Sequence, residues 1–409
     1  MDIKDFYRDL LEIISPWEIM DITMDKAKHE IRIGVSHASG AQFACSSCGE
    51  LCSVYDHGAS RVWRHLDICQ YKLYLEASLP RTSCKNCGVK TARSSWSGSN
   101  SRFTDMLSCR IIDTLQVSQS QSGCAMLLDI NRFAVSYLMK KSVILGESRR
   151  KAAGDSISYL AIDEKSYKEG HHYVTILSDA DNGRVLEVVE HRTIVAVQEA
   201  YKCLTIAQLS GVKAVSMDMW SAFESVTHEV APQAAIVHDK FHLSGYLNNA
   251  VDITRRAENK QLLKKEDTAL KGTKYMWLKG AEKRSEKETT KLRTFEEQKT
   301  LKTLTAFQLK EEFKAFFLYK NTQDAKTFFE DWFSRVGLSL DKNLLKVATM
   351  FKEHYIGIQN YIENNITNAI AESLNSKIQT LKAKARGFFS AQTSRIAILF
   401  HFGKLNLYP

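Results

Sequence analysis

Three apolar runs between residues 159 and 242 each stop at an aspartate: Tyr159-Leu-Ala-Ile-Asp163, Val215-Ser-Met-Asp218-Met-Trp220 and Ile236-Val-His-Asp239-Lys-Phe-His242. A carboxylate at the end of a buried strand lies at the rim of a sheet, where hard oxygen ligands can hold Mg²⁺ and still face a substrate. Two such carboxylates side by side repel each other unless a cation neutralises them. An aspartate after a strand is also ordinary turn or helix-capping chemistry. Three in one block favour a two-metal site for phosphoryl transfer.

The patterns around these runs predict a mixed sheet. We expect strands at residues 157–163, 172–178 and 184–190, with Asp181-Asn-Gly183 as a hairpin turn. A helix at 193–210, a strand at 213–218, a helix at 220–230 and a strand at 233–239 follow. This order is that of an RNase H-like fold, in which the first and fourth strands are neighbours. Asp163 and Asp218 are therefore expected to meet.

The composition describes a globular chain with a basic excess. The 409 residues are enough for two to four domains, and the net charge of +9 favours a partner with a phosphate backbone. No run of 18 apolar residues predicts a membrane span, and the mixed, acidic N-terminus does not resemble a signal peptide. We therefore expect a cytoplasmic, nucleoid-associated protein, whose nine cysteines serve as metal ligands or buried thiols.

Two Cys-x-x-Cys pairs, Cys45 with Cys48 and Cys84 with Cys87, predict a structural zinc site. Four thiolates can surround Zn²⁺ as a tetrahedron. The gap between the pairs is longer than the common spacing, and alternating apolar residues at 70–78 could fill it as a hairpin. Other side chains remain open as ligands. The stronger rivals are Cys52 and Cys69, and the weaker ones are His57 and His65.

Residues 101–150 are predicted to be helical. One amphipathic helix covers 103–117, a short one covers 122–128, and Asn131 caps a third that runs to about 145, before a basic linker at 149–151. The pattern is that of a helix-turn-helix, whose last helix can enter the major groove, although three short helices also form structural bundles. The residues expected to face DNA are Asn131, Arg132, Ser136, Tyr137, Lys140 and Lys141.

Residues 240–350 are predicted to be helical and basic. Between Arg255 and Lys310 there are 16 Lys and Arg against 8 Asp and Glu. Such a run is either a solvated helix face or a surface that follows phosphates. Trp277, inside the run, is either a core residue or a platform for an unpaired base.

Residues 364–385 place a polar stripe on one face of a helix, formed by Asn368, Glu372 and Asn375. Apolar residues flank the stripe, so it faces something other than bulk core and could complete the metal site. Four basic residues on the same segment are candidates for phosphate contacts: Lys377, Lys382, Lys384 and Arg386.

Taken in order, these motifs make the chain resemble a bacterial insertion-sequence transposase of the ISL-three family. The resemblance covers the doubled cysteine pair, the three helices and the three aspartate runs, and continues through Thr273-Lys-Tyr-Met-Trp-Leu278, Ala371-Glu-Ser-Leu-Asn-Ser-Lys-Ile378 and Lys384-Ala-Arg-Gly-Phe388. It implies a DDE core in which Asp163, Asp218 and Glu372 bind two Mg²⁺ ions, with Mn²⁺ able to substitute, beside one structural Zn²⁺. It also implies an all-helical insertion at 243–355.

The resemblance implies an enzyme that binds terminal inverted repeats, cleaves DNA at the transposon ends and transfers the 3′-hydroxyl strand to target DNA, as a homodimer or larger assembly. Asp239, His238, His242 and Asn375 are expected to assist. The expected divisions are a zinc-binding domain at 1–98, a helix-turn-helix domain at 99–152, a catalytic core at 153–242 and 356–409, and the insertion between them. The alternatives are a non-catalytic DNA-binding regulator and an RNase H-like nuclease or resolvase.

Overall fold

The computed structural model of this mixed α+β protein describes residues 2–98, 100–170, 172–298, 301–364 and 369–409. It divides into two compact units. Unit 1 comprises Met1–Arg150 together with Leu405–Pro409, and unit 2 comprises Lys151–Lys404.

Unit 1 is built on a six-stranded sheet. Its order is β1-β2-β5-β4-β3, with β6 paired to β5, and only the β2–β5 pair is parallel among these pairings. The helix α1 (Ile3–Leu10) precedes the sheet. The strands are β1 (Trp17–Asp25), β2 (Glu30–His37), β3 (Gln42–Ala44), β4 (Leu51–Arg64), β5 (Lys72–Cys84) and β6 (Gly88–Thr91).

The long antiparallel pair β4–β5 fills the gap between the two cysteine pairs, as the alternating sequence predicts. Buried and partly exposed residues alternate along the first part of β5, which gives that strand one core face. Leu73 and Leu75 are fully enclosed and pack with Trp63 of β4 in the core of unit 1. The sheet therefore fixes where both cysteine pairs can lie.

Three helices follow the sheet: α2 (Asp105–Ser118), α3 (Gln121–Leu127) and α4 (Arg132–Ala153). Thr104 caps α2 and Ser120 caps α3 through side-chain oxygens that accept backbone N–H groups. The prediction of a basic linker at 149–151 is wrong, because α4 continues through these residues. Arginine, lysine and alanine are good helix formers, and the helix ends only before Gly154, which has a φ of +64°.

The segment Leu405–Pro409 packs in unit 1. Leu407 is buried, and Arg149 of α4 donates hydrogen bonds to the carbonyls of Asn406 and Tyr408. The Tyr408 hydroxyl donates to Asp113 of α2 at 2.7 Å. Gly146 leaves room for this segment, since a Cβ there would lie 2.7 Å from that of Leu405.

Unit 2 contains a five-stranded sheet of order β11-β10-β7-β8-β9. The first three strands of unit 2, β7, β8 and β9, form an antiparallel meander. On the other side of β7, β10 pairs with β7 in parallel, and β11 pairs with β10 in parallel. The first and fourth strands are thus neighbours, as predicted. The strands are β7 (Tyr159–Lys168), β8 (His172–Asp179), β9 (Arg184–Glu190), β10 (Ala214–Met217) and β11 (Ala235–His238).

Asp163 does not end its strand, which corrects the sequence prediction. It is the fifth of ten residues in β7, because β7 keeps pairing with β8 up to Lys168 after β10 has stopped. The partners of β10 on β7 are residues 159–161 only, and Ala161 lies opposite Ser216. Asp163 and Asp218 each follow this pair by two residues. They therefore leave the parallel part of the sheet at the same level and on the same face.

Some helices of unit 2 cover the sheet. Those between residues 240 and 353 form a separate helical region with its own apolar core. The predicted helix at 193–210 is two helices, because Thr205 and Gln208 form a capping box that starts a new one. The helices are α5 (Ile194–Tyr201), α6 (Ile206–Gly211), α7 (Ser221–Val230), α8 (Lys240–Leu263), α9 (Lys274–Leu278), α10 (Glu286–Gln298), α11 (Lys302–Phe313), α12 (Thr322–Leu338), α13 (Lys342–Glu353), α14 (Tyr355–Asn364), α15 (Ala369–Lys384) and α16 (Ala391–Phe402), with short 3₁₀ helices at Ala281–Lys283 and Lys314–Leu318.

Aromatic side chains hold the helical region together. Trp332 is fully buried, its ring lies 4.6 Å from that of Phe313, and its indole N–H donates to the Leu309 carbonyl at 2.8 Å. Phe351 packs on the same pair. Because each ring buries a large apolar area, this cluster supplies much of the stability of the region.

Replacing Trp332 with alanine is expected to destabilise the helical region by about 3–5 kcal/mol, since it leaves a large cavity and removes the indole hydrogen bond to the Leu309 carbonyl. Urea unfolding followed by far-ultraviolet circular dichroism measures the change. Leu338→Ala, on an exposed position of the same helix, is the matched control and should cost less than about 0.5 kcal/mol. Equal losses for the two variants would contradict this account of the core.

Candidate functional site

The carboxylates of Asp163 and Asp218 face one imidazole at the rim of the unit 2 sheet. His242 lies on the first turns of α8, with Nδ1 3.4 Å from Oδ2 of Asp218 and Nε2 3.9 Å from Oδ1 of Asp163. The structure thus brings together two of the predicted acidic residues and one of the predicted accessory residues. The shared register of β7 and β10 is the reason.

Several donors fix the orientation of these two carboxylates. The Asn375 amide donates to Oδ2 of Asp163 at 2.6 Å, and the ammonium of Lys165 lies 2.9 Å from the same oxygen. The Tyr246 hydroxyl donates to both oxygens of Asp218, at 3.2 and 3.1 Å. Burial and the charge of Asp218 raise the pKa of Tyr246 to about 12, so the hydroxyl keeps its proton at neutral pH.

Tyr246 and Lys165 are residues that the sequence prediction missed. A signal for Tyr246 exists, because His242 and Tyr246 are four residues apart and share one face of α8. Lys165 follows Asp163 by two residues on a strand, so their side chains point to the same side. Both follow from simple periodicity once the secondary structure is known.

Glu372 lies near a different carboxylate. It is half-buried on α15, and its Oε1 atom is enclosed without a hydrogen-bond partner. Burial, followed by the negative charge of Asp239, raises the pKa of Glu372, and Lys240 opposes this effect. Asp239 itself caps α8 by accepting the backbone N–H of Phe241 at 2.8 Å. Asn368, the third member of the predicted stripe, lies outside the described residues.

Among the described residues, two groups of His, Cys, Asp or Glu place all their ligand atoms within 4.8 Å of one another. One is the set of four predicted cysteines, and the other is Glu224, His238 and His354. Asp163, Asp218 and Glu372 do not form such a group. His238, predicted as an accessory residue, therefore lies in a second polar cluster beside the aspartates.

An arginine network borders the aspartate pair and was also missed by the sequence prediction. Arg192 contacts both oxygens of Glu164, at 2.7 and 2.9 Å. Its guanidinium stacks over the ring of Trp220, 4.6 Å from the ring centroid, and the indole N–H of Trp220 donates to the Arg192 carbonyl. Glu164 is the residue after Asp163, and Trp220 lies two residues after Asp218. The network therefore stiffens both chain segments that carry the carboxylates.

Cys45, Cys48, Cys84 and Cys87 converge in unit 1 at the end of the β4–β5 pair. Backbone N–H groups of Cys48 and Ser47 lower the pKa of the Cys45 thiol to about 7, as in a loop built to hold a thiolate. Four thiolates whose sulfur atoms lie within 4.8 Å of one another fit Zn²⁺, because this ion prefers soft ligands in sets of four.

The four rival zinc ligands make other contacts. Cys52 is buried next to the four cysteines, but its thiol donates to the Glu50 carbonyl at 3.3 Å. Cys69 is exposed. His57 stacks on the ring of His37, and the buried His65 contacts the hydroxyl of Thr104 at 2.8 Å. The structure therefore supports the four predicted cysteines, and not these rivals, as the zinc ligands.

The first half of α4 presents a polar surface. Asn131 caps the helix by accepting the backbone N–H of Phe133 at 2.7 Å. Asn131, Arg132, Ser136, Tyr137 and Lys140 are exposed, and Lys141 is half-buried. Asn131, Tyr137 and Lys141 also line a groove with residues 100–103. Three of the six predicted DNA-facing side chains thus line this groove of unit 1, and the other three are exposed elsewhere on the same helix.

The prediction that Trp277 could stack on a base is wrong. Its ring is completely buried, its indole N–H donates to the Thr273 hydroxyl at 3.0 Å, and Phe295 stacks on it. The basic run around it is partly structural as well. Lys310 is buried and donates to the Trp277 carbonyl at 2.7 Å, and the Arg284 side chain donates to the Met276 carbonyl.

The basic residues after Glu372 border a second groove. Lys377, Lys384 and Arg386 are exposed, whereas Lys382 is half-buried and donates to the Ser166 hydroxyl at 3.2 Å. Lys382 and Arg386 line this groove together with Lys168 and the fully exposed ring of Phe389. Phe389 is a further residue that sequence reasoning missed, since exposure cannot be inferred from one aromatic residue in a loop.

None of the helices within the described residues has the length and apolar character needed to cross a membrane.

Two family models match the chain. Residues 160–398 match the transposase model of the ISL-three family, which is of the DDE type. Residues 41–87 match the zinc-finger of the transposases IS204, IS1001, IS1096 and IS1165. The second match begins before Cys45 and ends at Cys87, so it contains all four clustered cysteines and supports a structural Zn²⁺ there.

Curated relatives align along most of the chain. The transposase for insertion sequence element IS1001 of Bordetella parapertussis is 26% identical over 348 residues, which are 84% of this chain and 85% of that protein. The transposase for insertion sequence element IS1557 of Mycobacterium tuberculosis is 25% identical over 376 residues, covering 85% and 83%. Both similarities extend well beyond a single motif.

Replacing Cys84 with serine is expected to remove one equivalent of bound zinc per chain and to destabilise the strands around it, because a structural zinc contributes folding free energy. Inductively coupled plasma mass spectrometry of the purified chain measures the metal. Cys69→Ser, at an exposed cysteine outside the cluster, should leave the zinc content unchanged. Unchanged zinc in Cys84→Ser would contradict the assignment.

Proposed function

The chain belongs to the ISL-three family of insertion-sequence transposases, which are DNA-cleaving and strand-transferring enzymes of the DDE type, and we propose that Asp163, Asp218 and Glu372 are its catalytic acids. In this proposal the enzyme binds the terminal inverted repeats, cleaves a phosphodiester at each end and transfers the freed 3′-hydroxyl strand to target DNA. The observation that carries it is the register of β7 and β10, which places Asp163 and Asp218 level beside His242.

Two Mg²⁺ ions, with Mn²⁺ able to substitute, are the proposed cofactors of this site. The donor set fits hard cations, because two carboxylates converge and the Glu372 oxygen is buried without a hydrogen bond. A divalent charge would also offset the effects that raise the pKa of Glu372. When bound, such ions would activate the attacking water or 3′-hydroxyl and stabilise the leaving oxygen.

The surrounding side chains would hold the acids in place. Asn375 lies three residues after Glu372, so one face of α15 would carry both the third acid and the amide that orients Asp163. Tyr246, which keeps its proton, would hold Asp218 at one rotamer through both oxygens. Asp239 would act as a helix cap near Glu372 and His242 as a neighbour of both aspartates, so their roles would be positional.

The proposed fold of this core is RNase H-like. The order β9-β8-β7-β10-β11, with an antiparallel meander followed by two parallel strands, supports it. The helices α8 to α13 separate β11 from α14 and α15, as an insertion in the chain of the core would do. The helical region would then bring its exposed basic residues to the DNA that enters the site.

The proposed DNA-reading module is a helix-turn-helix formed by α2, α3 and α4. Its support is the short helix α3, the tight connection to the Asn131 cap, and the exposed polar face of α4. The groove with Lys168, Lys382 and Arg386 would follow the backbone of a DNA strand near the catalytic acids. Joining two transposon ends requires two active sites, so we propose a homodimer or larger assembly on DNA.

Asp163→Asn is expected to abolish metal-dependent cleavage of transposon-end DNA while binding to that DNA persists. The loss should exceed the roughly 10–100-fold typical of residues that only support a metal ligand. Gel assays of nicking and binding in Mg²⁺ or Mn²⁺ measure both. Asp181→Asn, in an exposed hairpin turn of the same sheet, removes the same charge and should cleave normally. Cleavage by the Asp163 variant would refute the assignment of its role.

Lys140→Ala is expected to weaken binding to the terminal repeat and to reduce the salt dependence of the affinity by about one unit of slope, because one phosphate contact is lost. Fluorescence anisotropy over a range of salt concentrations measures both quantities. Lys202→Ala removes the same charge from an exposed position outside the three helices and serves as control. Identical salt slopes for the two variants would argue against the proposed DNA-contacting surface.

A further inference from the structure

Glu224, His238 and His354 form a compact polar cluster in unit 2 that the proposed catalytic chemistry does not use. Oε1 of Glu224 lies 2.9 Å from Nδ1 of His354 and 3.6 Å from Nε2 of His238. All three candidate ligand atoms lie within 4.8 Å of one another. The three residues come from α7, from the end of β11 and from the residue that follows α13.

Hydrogen bonding does not account for this arrangement. Oε1 of Glu224 is enclosed and accepts no hydrogen bond, although Nδ1 of His354 is close enough for one. The two imidazole rings are nearly perpendicular, at 88°, with centroids 5.4 Å apart. Ligand atoms that surround one metal ion lie close to one another without being aligned as hydrogen-bond donor and acceptor, and these atoms show that arrangement.

The side chain of His238 is enclosed and held in place. The residue is only 3% exposed. Gly357 of α14 is tightly packed against it, since a Cβ at that position would lie 2.4 and 2.5 Å from Cδ2 and Nε2 of His238. The ring is thus held with its Nε2 edge turned towards α14 and Glu224.

We infer that Glu224, His238 and His354 form a second transition-metal site, with Zn²⁺ as the best fit. Two imidazole nitrogens and one carboxylate oxygen suit Zn²⁺, whereas Mg²⁺ prefers oxygen ligands alone. The site would be distinct from both the four-cysteine site and the aspartate pair.

The proposed metal would fasten the end of the helical region to the sheet edge that bears the aspartates. His238 pairs with Met217 at the ends of β11 and β10, and the residues that follow the two strands are Asp239 and Asp218. His354 lies between α13 and α14, and α14 also donates from Asn360 to the Ile236 carbonyl of β11 at 2.9 Å. One bound ion would therefore join three segments that are 14 to 130 residues apart in the chain.

The test is the zinc content of the full chain, purified from zinc-supplemented cells and dialysed against metal-free buffer. We expect two equivalents per chain, of which Glu224→Gln and His354→Asn each lose one. His228→Asn, at an exposed histidine of α7, should retain both. One equivalent in the unaltered chain, or two in His354→Asn, would overturn the inference. Glu224→Gln keeps the shape of the side chain, so a folding failure of the histidine variant leaves the test decisive.

Cobalt spectra distinguish this site from the four-cysteine site. After loading with Co²⁺, the spectrum of the unaltered chain minus that of Glu224→Gln should show d–d bands without thiolate-to-cobalt charge transfer, because the lost site contains no sulfur. A charge-transfer band in that difference would mean that the substitution acted on the cysteines, and it would refute the inference. This readout does not depend on DNA cleavage, so it is independent of the proposed catalytic function.

Discussion

The pairing of Ala161 with Ser216 is the constraint on which the rest of unit 2 depends. A shift of this register by one residue would turn every side chain of β10 to the opposite face. All four residues of β10 are buried, so both of its faces are packed, and Val215 pairs with the fully buried Leu160 one residue earlier. The buried residues of β10 and of the first part of β7 therefore determine where two charged residues lie. The acids are positioned by hydrophobic packing, and polar contacts only refine their orientation.

This dependence explains which features could be predicted from the sequence. Period-two patterns and turn residues were enough for the order of strands and helices along the chain, and the adjacency of β7 and β10 was expected from the RNase H-like fold that this order indicates. The spacing of the cysteines was enough for the zinc ligands, because few other functions require two such pairs. The position of Asp163 within β7 could not be predicted, since it depends on β8 continuing beyond the point where β10 ends. That is a property of the partner strand.

Long-range packing accounts for the remaining errors. Trp277 lies in a basic run, yet its ring is enclosed by partners such as Phe295 and Phe307, which are 18 and 30 residues away in the chain. A count of charged residues treats Lys310 as a surface charge, but its side chain is buried and donates a hydrogen bond to the Trp277 carbonyl. Glu372 was identified from a polar helix stripe and from the family resemblance, and its proximity to Asp239 depends on how α15 packs near the start of α8. Local patterns carry no information about such contacts.

The placement of Leu405–Pro409 has a consequence for handling the protein. These five residues belong to unit 1 although the preceding 254 residues form unit 2, so the backbone passes from one unit to the other twice. Any peptide fused after Pro409 would emerge beside α2 and α4 of unit 1. Cutting the chain after Lys404 would uncover Gly146 and leave Arg149 without its carbonyl acceptors. An affinity tag at this end would therefore perturb the proposed DNA-reading helices.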